Sequence, residues 1–460
     1  MRTREQIFLR QSASKVSDLA HRHKMNHALK QSDDAFEKGK ALFSDLELAR
    51  DRAHAIKKET VEHLDTYLCE FEHNFTKRGG KVIWAQTPQD ARMAIKEICS
   101  TYRAKTVVKS KSMVTEEIEL NDALADVGIE VIETDLGEYI QQLSGEAPYH
   151  IVAPSIHKSK EEVAALFVDE LDAAPGLRPD QLTRVARKVL RKKFGEAEVG
   201  ITGVNFLLAD IGGMVLTENE GNGRLTTGLP KVHIAVTGIE KVLPSVHQLA
   251  LFLPLLATHG SGQHLTVYNS IMTGPRKGDE IDGPEEMYVI LVDNGRTKLL
   301  ADSAARESLY CIRCGACLNT CPVYKNVGGH TYDTTYGGPI GSVIMPHLGG
   351  LKDHKHLSYA SSLCGSCSAV CPVRIPLHNL LLYNRQKAVE NRLNSKLERL
   401  AIWGWKRVML SRKLMNAGGG NVKNKVFALT MGGIWGKDRA LPVFPQKNFS
   451  QQWKARRQNG

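Results

Sequence analysis

Cys311-Ile-Arg-Cys314-Gly-Ala-Cys317-Leu-Asn-Thr-Cys321-Pro322 is followed, 50 residues on, by Ser361-Ser-Leu-Cys364-Gly-Ser-Cys367-Ser-Ala-Val-Cys371-Pro372. Seven of the nine cysteines of this 460-residue chain lie in these two runs. Ligands at every third residue can wrap the corners of one iron–sulfur cluster, while the fourth cysteine, turned away by its proline, reaches the other cluster. The spacing therefore predicts that Cys311, Cys314 and Cys317 hold one [4Fe-4S] cluster with Cys371, and that Cys321 holds a second with Cys364 and Cys367. The second site is one thiolate short, and Ser361 stands where the first run has Cys311. Three completions are open: the Ser361 hydroxyl, a water or substrate atom on an open iron, or no ligand at all, giving a three-iron cluster.

Structural zinc also uses Cys-x2-Cys pairs but wants two separated pairs, so a compact run of four followed by proline suits a cluster better. Disulfides fit less well still. The odd cysteine count and ligand-like clustering argue for a reducing compartment. Cys69 and Cys99 stand alone in helical patterns and read as small buried hydrophobes.

Working outward, the 85 residues or so around these runs, roughly 299–386, have 42 residues between Cys321 and Cys364, including the glycine-rich Tyr336-Gly-Gly-Pro-Ile-Gly-Ser342. That interval is too long for a compact two-repeat hairpin, so a helical ferredoxin-like two-cluster domain is expected. Upstream, apolar residues recur at helical spacing from Asp34 to Phe75, and Gly79-Gly80 closes this N-terminal helical region, 1–79. From residue 80 to 298, short apolar runs alternate with helical patterns: strands are expected at 81–85, 106–109, 129–133, 150–153, 206–209, 214–217, 232–236, 265–269 and 287–292. Such alternation predicts an α/β domain with a parallel sheet.

The formal charge of +11 is unevenly placed. Residues 386–460 carry 16 Lys and Arg against 3 Asp and Glu, which leaves −2 for the rest. This basic C-terminal region, 387–460, also holds Trp403, Trp405, Trp435 and Trp453, a mixture suited to packing on the protein body, to an anionic membrane surface or to an acidic partner. No nucleic-acid-binding signature accompanies the charge. The amino terminus has no apolar signal-peptide core, and the longest apolar stretch, Leu249–Ala257, is far below the ~20 residues that span a bilayer. A cytoplasmic location is expected.

The α/β region lacks a phosphate-binding P-loop and a dinucleotide-binding glycine turn. Two segments have chemistry for an anionic ligand. Lys109, Ser110, Lys111 and Ser112 follow a strand, at the end where open α/β sheets bind ligands; the plainer reading is a helix cap flanked by solvated lysines. Glu218, Glu220, Asn222 and Arg224 lie in a glycine loop that equally reads as a charged turn. His157 and His233 are the nearest candidates for proton transfer, and lone histidines are more often structural.

Lys109-Ser-Lys-Ser-Met113, Thr134-Asp-Leu-Gly-Glu-Tyr139, Gly203-Val-Asn205, Glu218-Asn-Glu-Gly-Asn222, Gly238-Ile-Glu-Lys241 and the two cysteine runs together resemble the lactate-utilisation protein B family, over nearly the whole chain. The resemblance implies a LUD domain similar to the ribose-phosphate isomerase and CoA-transferase group, followed by the ferredoxin-type domain. It implies two [4Fe-4S] clusters on the seven cysteines, with Ser361 matching a second run of three. It further implies work with two companion proteins in the oxidation of L-lactate to pyruvate, as an electron-transport component between donor and acceptor proteins. The cysteine region also resembles the second domain of the succinate dehydrogenase iron–sulfur subunit, where the site short of a thiolate holds a three-iron cluster.

Three roles compete on this reading. The chain is an electron-transfer subunit, or a catalytic subunit binding a 2-hydroxy acid through the two loops beside an open iron of the second cluster, or an assembly scaffold.

Overall fold

The computed structural model describes residues 3–435 and 440–458. Met1, Arg2, residues 436–439, Asn459 and Gly460, which fall within the expected regions 1–79 and 387–460, lie outside the described residues. The chain forms two compact units, Met1–Ala388 and Val389–Gly460.

The first unit opens with α1 (Arg4–Ser17), α2 (Leu19–Lys40), α3 (Leu46–Glu62) and α4 (Leu64–Lys77). The stretch that reads as one helix from Asp34 to Phe75 is thus divided among three. Asp45 makes the first break, its carboxylate accepting the Leu48 N–H at 2.9 Å to cap α3. His63, at φ −119°, makes the second. The apolar spacing runs through both breaks because each helix buries its own row: Ala53 and Val61 on α3, then Leu64, Leu68, Phe71 and Phe75 on α4.

Ten strands follow among the described residues: β1 (Lys81–Ala85), β2 (Thr106–Lys109), β3 (Glu130–Glu133), β4 (Val199–Thr202), β5 (Phe206–Leu208), β6 (Gly213–Glu218), β7 (Val232–Gly238), β8 (Val242–Leu243), β9 (Tyr268–Met272) and β10 (Glu286–Val292). Six make one sheet in the order β1-β10-β7-β4-β2-β3, parallel throughout. A smaller sheet has the order β8-β5-β6-β9. Helices flank the parallel sheet, as crossover connections require.

Two strand expectations need correction. Residues 150–153 form no strand, because His150 Nδ1 accepts the N–H groups of Val152 and Ala153 at 3.1 and 3.2 Å, taking the donors a ladder would need. The strand expected at 265–269 begins instead at Tyr268. The central strand β4 escapes the pattern: Val-Gly-Ile-Thr is short and buried on both faces, so it shows no alternation.

The cysteine segment is built from the helices Pro322–Val327, Gly338–Leu348, Leu351–Tyr359 and Leu377–Glu390, with no strand among its described residues. One hydrophobic core joins Phe8, Met25 and Leu29 of the N-terminal helices, Phe206 and Phe252 of the α/β region, and Tyr324, Val343 and Leu357 of the cysteine segment. Each such buried side chain contributes about 1.5–3 kcal/mol. The first three sequence regions are therefore packed as one body.

The second unit, taken by itself, is helical, with helices at Lys396–Met409, Arg412–Asn416, Gly420–Trp435 and Phe449–Gln458. Trp403, Trp405 and Trp453 are exposed, and the Arg407 guanidinium lies over the Trp403 ring at 5.2 Å. Among the described residues no helix is long and apolar enough to cross a membrane.

Candidate metal centre and adjoining cavity

The two cysteine runs repeat one backbone. Arg313 and Leu363 take left-handed conformations at φ 63° and 55°, and Gly315 and Gly365 do so at 80° and 83°. Each run then enters a one-turn helix, Ala316–Asn319 or Ser366–Ala369. Left-handed residues in alternation turn successive N–H groups towards one concavity, which suits anionic sulfur. Cys311 Sγ accepts the Arg313 N–H at 3.4 Å; at the matching place Ser361 Oγ accepts the Leu363 N–H at 3.1 Å. The hydroxyl thus takes up the bond that a thiol makes in the first run. Cys371 Sγ likewise accepts the Ile375 N–H at 3.4 Å.

The thiols fall into two groups. Cys314 and Cys317 each feel the charge of Cys311 and Cys371, so these four share one neighbourhood. Cys321 feels Cys364, and Cys367 feels both. Each run therefore lends its last cysteine to the other group. Tyr324 and Tyr332, both buried, are near Cys317 of one group and Cys321 of the other.

Surroundings differ between the groups. Cys314 and Cys371 are buried, with Cys311 and Cys317 partly so; in the second group Cys321 and Cys367 are buried but Cys364 is exposed. Burial pushes the Cys371 thiol up to about 12 and Cys367 to about 11, whereas hydrogen bonds from Ser366 hold Cys364 below its ordinary value. Bare thiolates are disfavoured at the buried positions, and the cationic irons of a cluster are what would let them ionise. Thiols sharing a neighbourhood, N–H groups on Cys311 and Cys371 sulfur and the burial of most of the set fit an iron–sulfur group.

Each run has its own support. Arg50 on α3 donates to the carbonyls of Cys371 at 3.0 Å and Ala369 at 2.6 Å, and His54 bonds the Val373 carbonyl at 3.0 Å. Behind the first run lies a buried charge network. Arg296 Nε donates to Glu240 at 2.6 Å, and its two terminal nitrogens donate to Glu117, each at 2.8 Å. Tyr336 Oη donates to Glu117 at 2.6 Å, and Arg313 reaches Glu240 at 3.3 Å while lying 4.5 Å over the Tyr336 ring. Gly238 ends β7 beside this network: a Cβ there would come 2.1 Å from Glu240 Oε2, so only glycine fits.

A cavity of about 310 Å³ opens at the carboxyl ends of the parallel strands, where such sheets bind ligands. Its wall includes Ser110, Lys111 and Ser112 after β2, Lys241 after β7, and Arg313 and Cys314 from the cysteine run. Glu218, Glu220 and Asn222 line it too. The cavity therefore abuts the four-thiol group; Cys321, Cys364 and Cys367 do not line it. The arrangement imagined from sequence, with both loops beside the three-thiol site, is not what the structure shows.

The eight loop residues expected to bind substrate separate on inspection. Lys109 is fully buried and enclosed by Glu116 at 2.7 Å and Glu133 at 2.8 Å. Burial would lower its pKa, but these carboxylates more than reverse that. It is a structural ion pair, away from the cavity wall. Arg224 also points elsewhere, its guanidinium 5.2 Å over the Tyr268 ring and facing a separate cavity. Ser112 caps the helix Met113–Glu117, accepting the Thr115 N–H at 3.3 Å. Glu218 folds its own loop, accepting the N–H groups of Gly223 at 2.6 Å and Arg224 at 2.8 Å. Burial, then Asp135, push Glu220 up to about 7. Neither histidine lines this cavity: His157 bonds Glu146 at 3.0 Å, and His233, buried in the sheet, bonds Thr202 at 2.8 Å. Burial lowers both, to about 4 and about 3. Cys99 is buried as expected, but Cys69 is exposed.

Among the cavity residues that sequence reading missed are two cations, Lys241 and Arg313. Lys241 lies three residues past the carboxyl end of β7, so the rule that pointed to the segment at the end of β2 would have found it. Arg313 lies inside the cysteine run, where its neighbours masked it.

Comparison with known proteins agrees with these two parts. Residues 68–292 match the LUD domain family model, and residues 307–375 match that of a 4Fe-4S dicluster domain. The second match makes the cysteine segment an iron–sulfur-binding domain. Lactate utilization protein B of Shouchella clausii is 45% identical over 89% of this chain and 89% of its own length. The proteins of that name from Bacillus cytotoxicus and Bacillus subtilis are each 49% identical, covering 77% and 74% of this chain and 74% and 71% of their own. A solved structure of a DUF162 family protein from Deinococcus radiodurans matches 50% of this chain and 98% of its own at 14% identity, with a TM-score of 0.29, too loose a likeness to carry an argument. On the extent and identity of the curated matches, this chain belongs to the lactate utilization protein B family.

Proposed function

We propose that this protein is the electron-transfer subunit of a cytoplasmic system oxidising L-lactate to pyruvate, working with two companion proteins and with electron donor and acceptor proteins. The observation that carries the reading is the pair of thiol groups assembled crosswise from two runs, one buried and one reaching the surface at Cys364. Cys311, Cys314, Cys317 and Cys371 would hold one [4Fe-4S] cluster, and Cys321, Cys364 and Cys367, with Ser361 at the fourth corner, the second. Such clusters, when bound, supply one-electron transfer at potentials set by burial, charge and hydrogen bonds to sulfur. The chain's own contribution is to keep water from the first group, to aim N–H groups at the sulfurs, and to place Arg313 beside Cys311, where positive charge favours the reduced state.

The α/β domain, with its all-parallel sheet and cavity at the strand ends, is read as kin to the ribose-phosphate isomerase and CoA-transferase group. The basic, tryptophan-bearing second unit is read as the part that meets an acidic partner or an anionic membrane surface.

The test is reduction of the anaerobically purified protein, followed by absorbance and EPR. Dithionite should reduce it, and L-lactate should do so only when the companion proteins are present. Rapid bleaching by L-lactate in the chain alone would sink the reading.

A further inference from the structure

We propose that the cavity at the strand ends is a binding site for a small monocarboxylate bearing a 2-hydroxy or 2-oxo group, anchored by Lys241, Arg313 and Ser110, and that its occupancy is coupled to the redox state of the neighbouring four-thiol centre. Lys241 is buried and makes no hydrogen bond or ion pair among the described residues, although it lines the cavity. Ser110, also buried, leaves its Oγ without a partner, and one terminal nitrogen of Arg313 is likewise buried and unpartnered. A buried polar group left unpaired costs about 1–3 kcal/mol, more if charged. Two such groups, together with the Lys241 ammonium that has no hydrogen-bond or ion-pair partner among the described residues, lie on separate elements lining one cavity at the strand ends and mark an anion site.

The remaining lining narrows the ligand. Asp135, Glu218 and Glu220 border the same space and repel a dianion, which disfavours phosphate esters. A planar carboxylate suits the fork of a guanidinium. The amides of Asn205 and Asn222 and the Ser112 hydroxyl supply donors and acceptors for an oxygen on the next carbon. The choice of a lactate-like acid rests on the lactate reading above; the anion site itself does not.

Cys314 belongs at once to the cavity wall and to the four-thiol group, and Arg313, also in the wall, stands beside Cys311 of that group. A bound anion there offsets the cations that favour the reduced state, so binding lowers the reduction potential of that centre. By linkage, reduction weakens binding by the same factor. A tenfold difference in affinity between oxidised and reduced protein corresponds to about 59 mV for one electron.

The experiment uses the full-length, anaerobically purified protein with both centres loaded. Calorimetric titration with L-lactate, pyruvate and inorganic phosphate is paired with an EPR-monitored redox titration with and without saturating carboxylate. L-Lactate or pyruvate should bind saturably, and phosphate at least about tenfold more weakly. Loss of one charged hydrogen bond should weaken carboxylate binding about tenfold in Lys241→Gln. Ser110→Ala should weaken it about threefold, and Arg224→Gln, outside the cavity, should leave it unchanged. The potential of the four-thiol centre should fall on binding. Absence of saturable carboxylate binding, equal binding of phosphate, undiminished binding in both Lys241→Gln and Ser110→Ala, or an unmoved potential would overturn the proposal. If Lys241→Gln does not fold, Ser110→Ala and the wild-type potential still decide. A protein that binds no carboxylate yet is reduced through its companions leaves the electron-transfer reading standing.

Discussion

Cys314 and Cys364 hold the same place in two copies of one turn, yet the first is buried against a cavity and the second faces solvent. The local backbone is nearly identical, down to the left-handed glycine that follows each cysteine. What differs is everything that packs on it. The first copy is backed by the Arg296–Glu117–Glu240 network; the carbonyls around Cys371 in the second are gripped by Arg50. A ligand motif fixes which metal group is held, while burial and neighbouring charge fix its potential and who can reach it.

The comparison breaks most completely by removing a ligand. Cys314→Ala should cost the buried centre, about half of the iron per chain if each group holds one cluster. Cys364→Ala should remove the outer signal and spare the inner one, as iron analysis and EPR would show. Next in size are the supports. Arg296→Met strands Glu117 and Glu240 as buried charges and should cost about 3–5 kcal/mol in urea denaturation. Arg50→Met, which forfeits charged hydrogen bonds to carbonyls, should cost about 1.5–3 kcal/mol.

A finer test makes the copies alike. Ser361→Cys restores a fourth thiolate to the outer group, and the added negative charge should lower its potential by on the order of 100 mV. The inner centre should keep its potential. The smallest expected effect concerns pH. Glu220 faces Asp135, Lys111 and Glu218, and is raised to about 7. Below that pH it is neutral; above it the carboxylate repels a bound acid, so affinity should fall about threefold as pH rises through 7. Glu220→Gln should flatten the profile.

The grouping of the thiols was legible because their spacing is local: a three-residue period states its purpose without any knowledge of the fold. The α/β order was legible for the same reason. Lys109 misled because its partners, Glu116 and Glu133, close around it only when β2 and β3 pair and the intervening helices pack. Arg313 and Lys241 were hidden for the converse reason, since 72 residues separate them in sequence and only the packed cysteine run brings both to one cavity. Long-range charge compensation leaves no periodic trace.

The exchange of Cys321 and Cys371 between the two groups has a consequence for how the cofactors arrive. Neither run alone can finish a centre, so loading one cluster clamps both runs and prepays the loop-closure entropy of the other. Maturation of the unaltered chain should then be cooperative, with singly loaded protein under-represented when iron is limiting, while saturating iron still fills the remaining centre of a single-site variant.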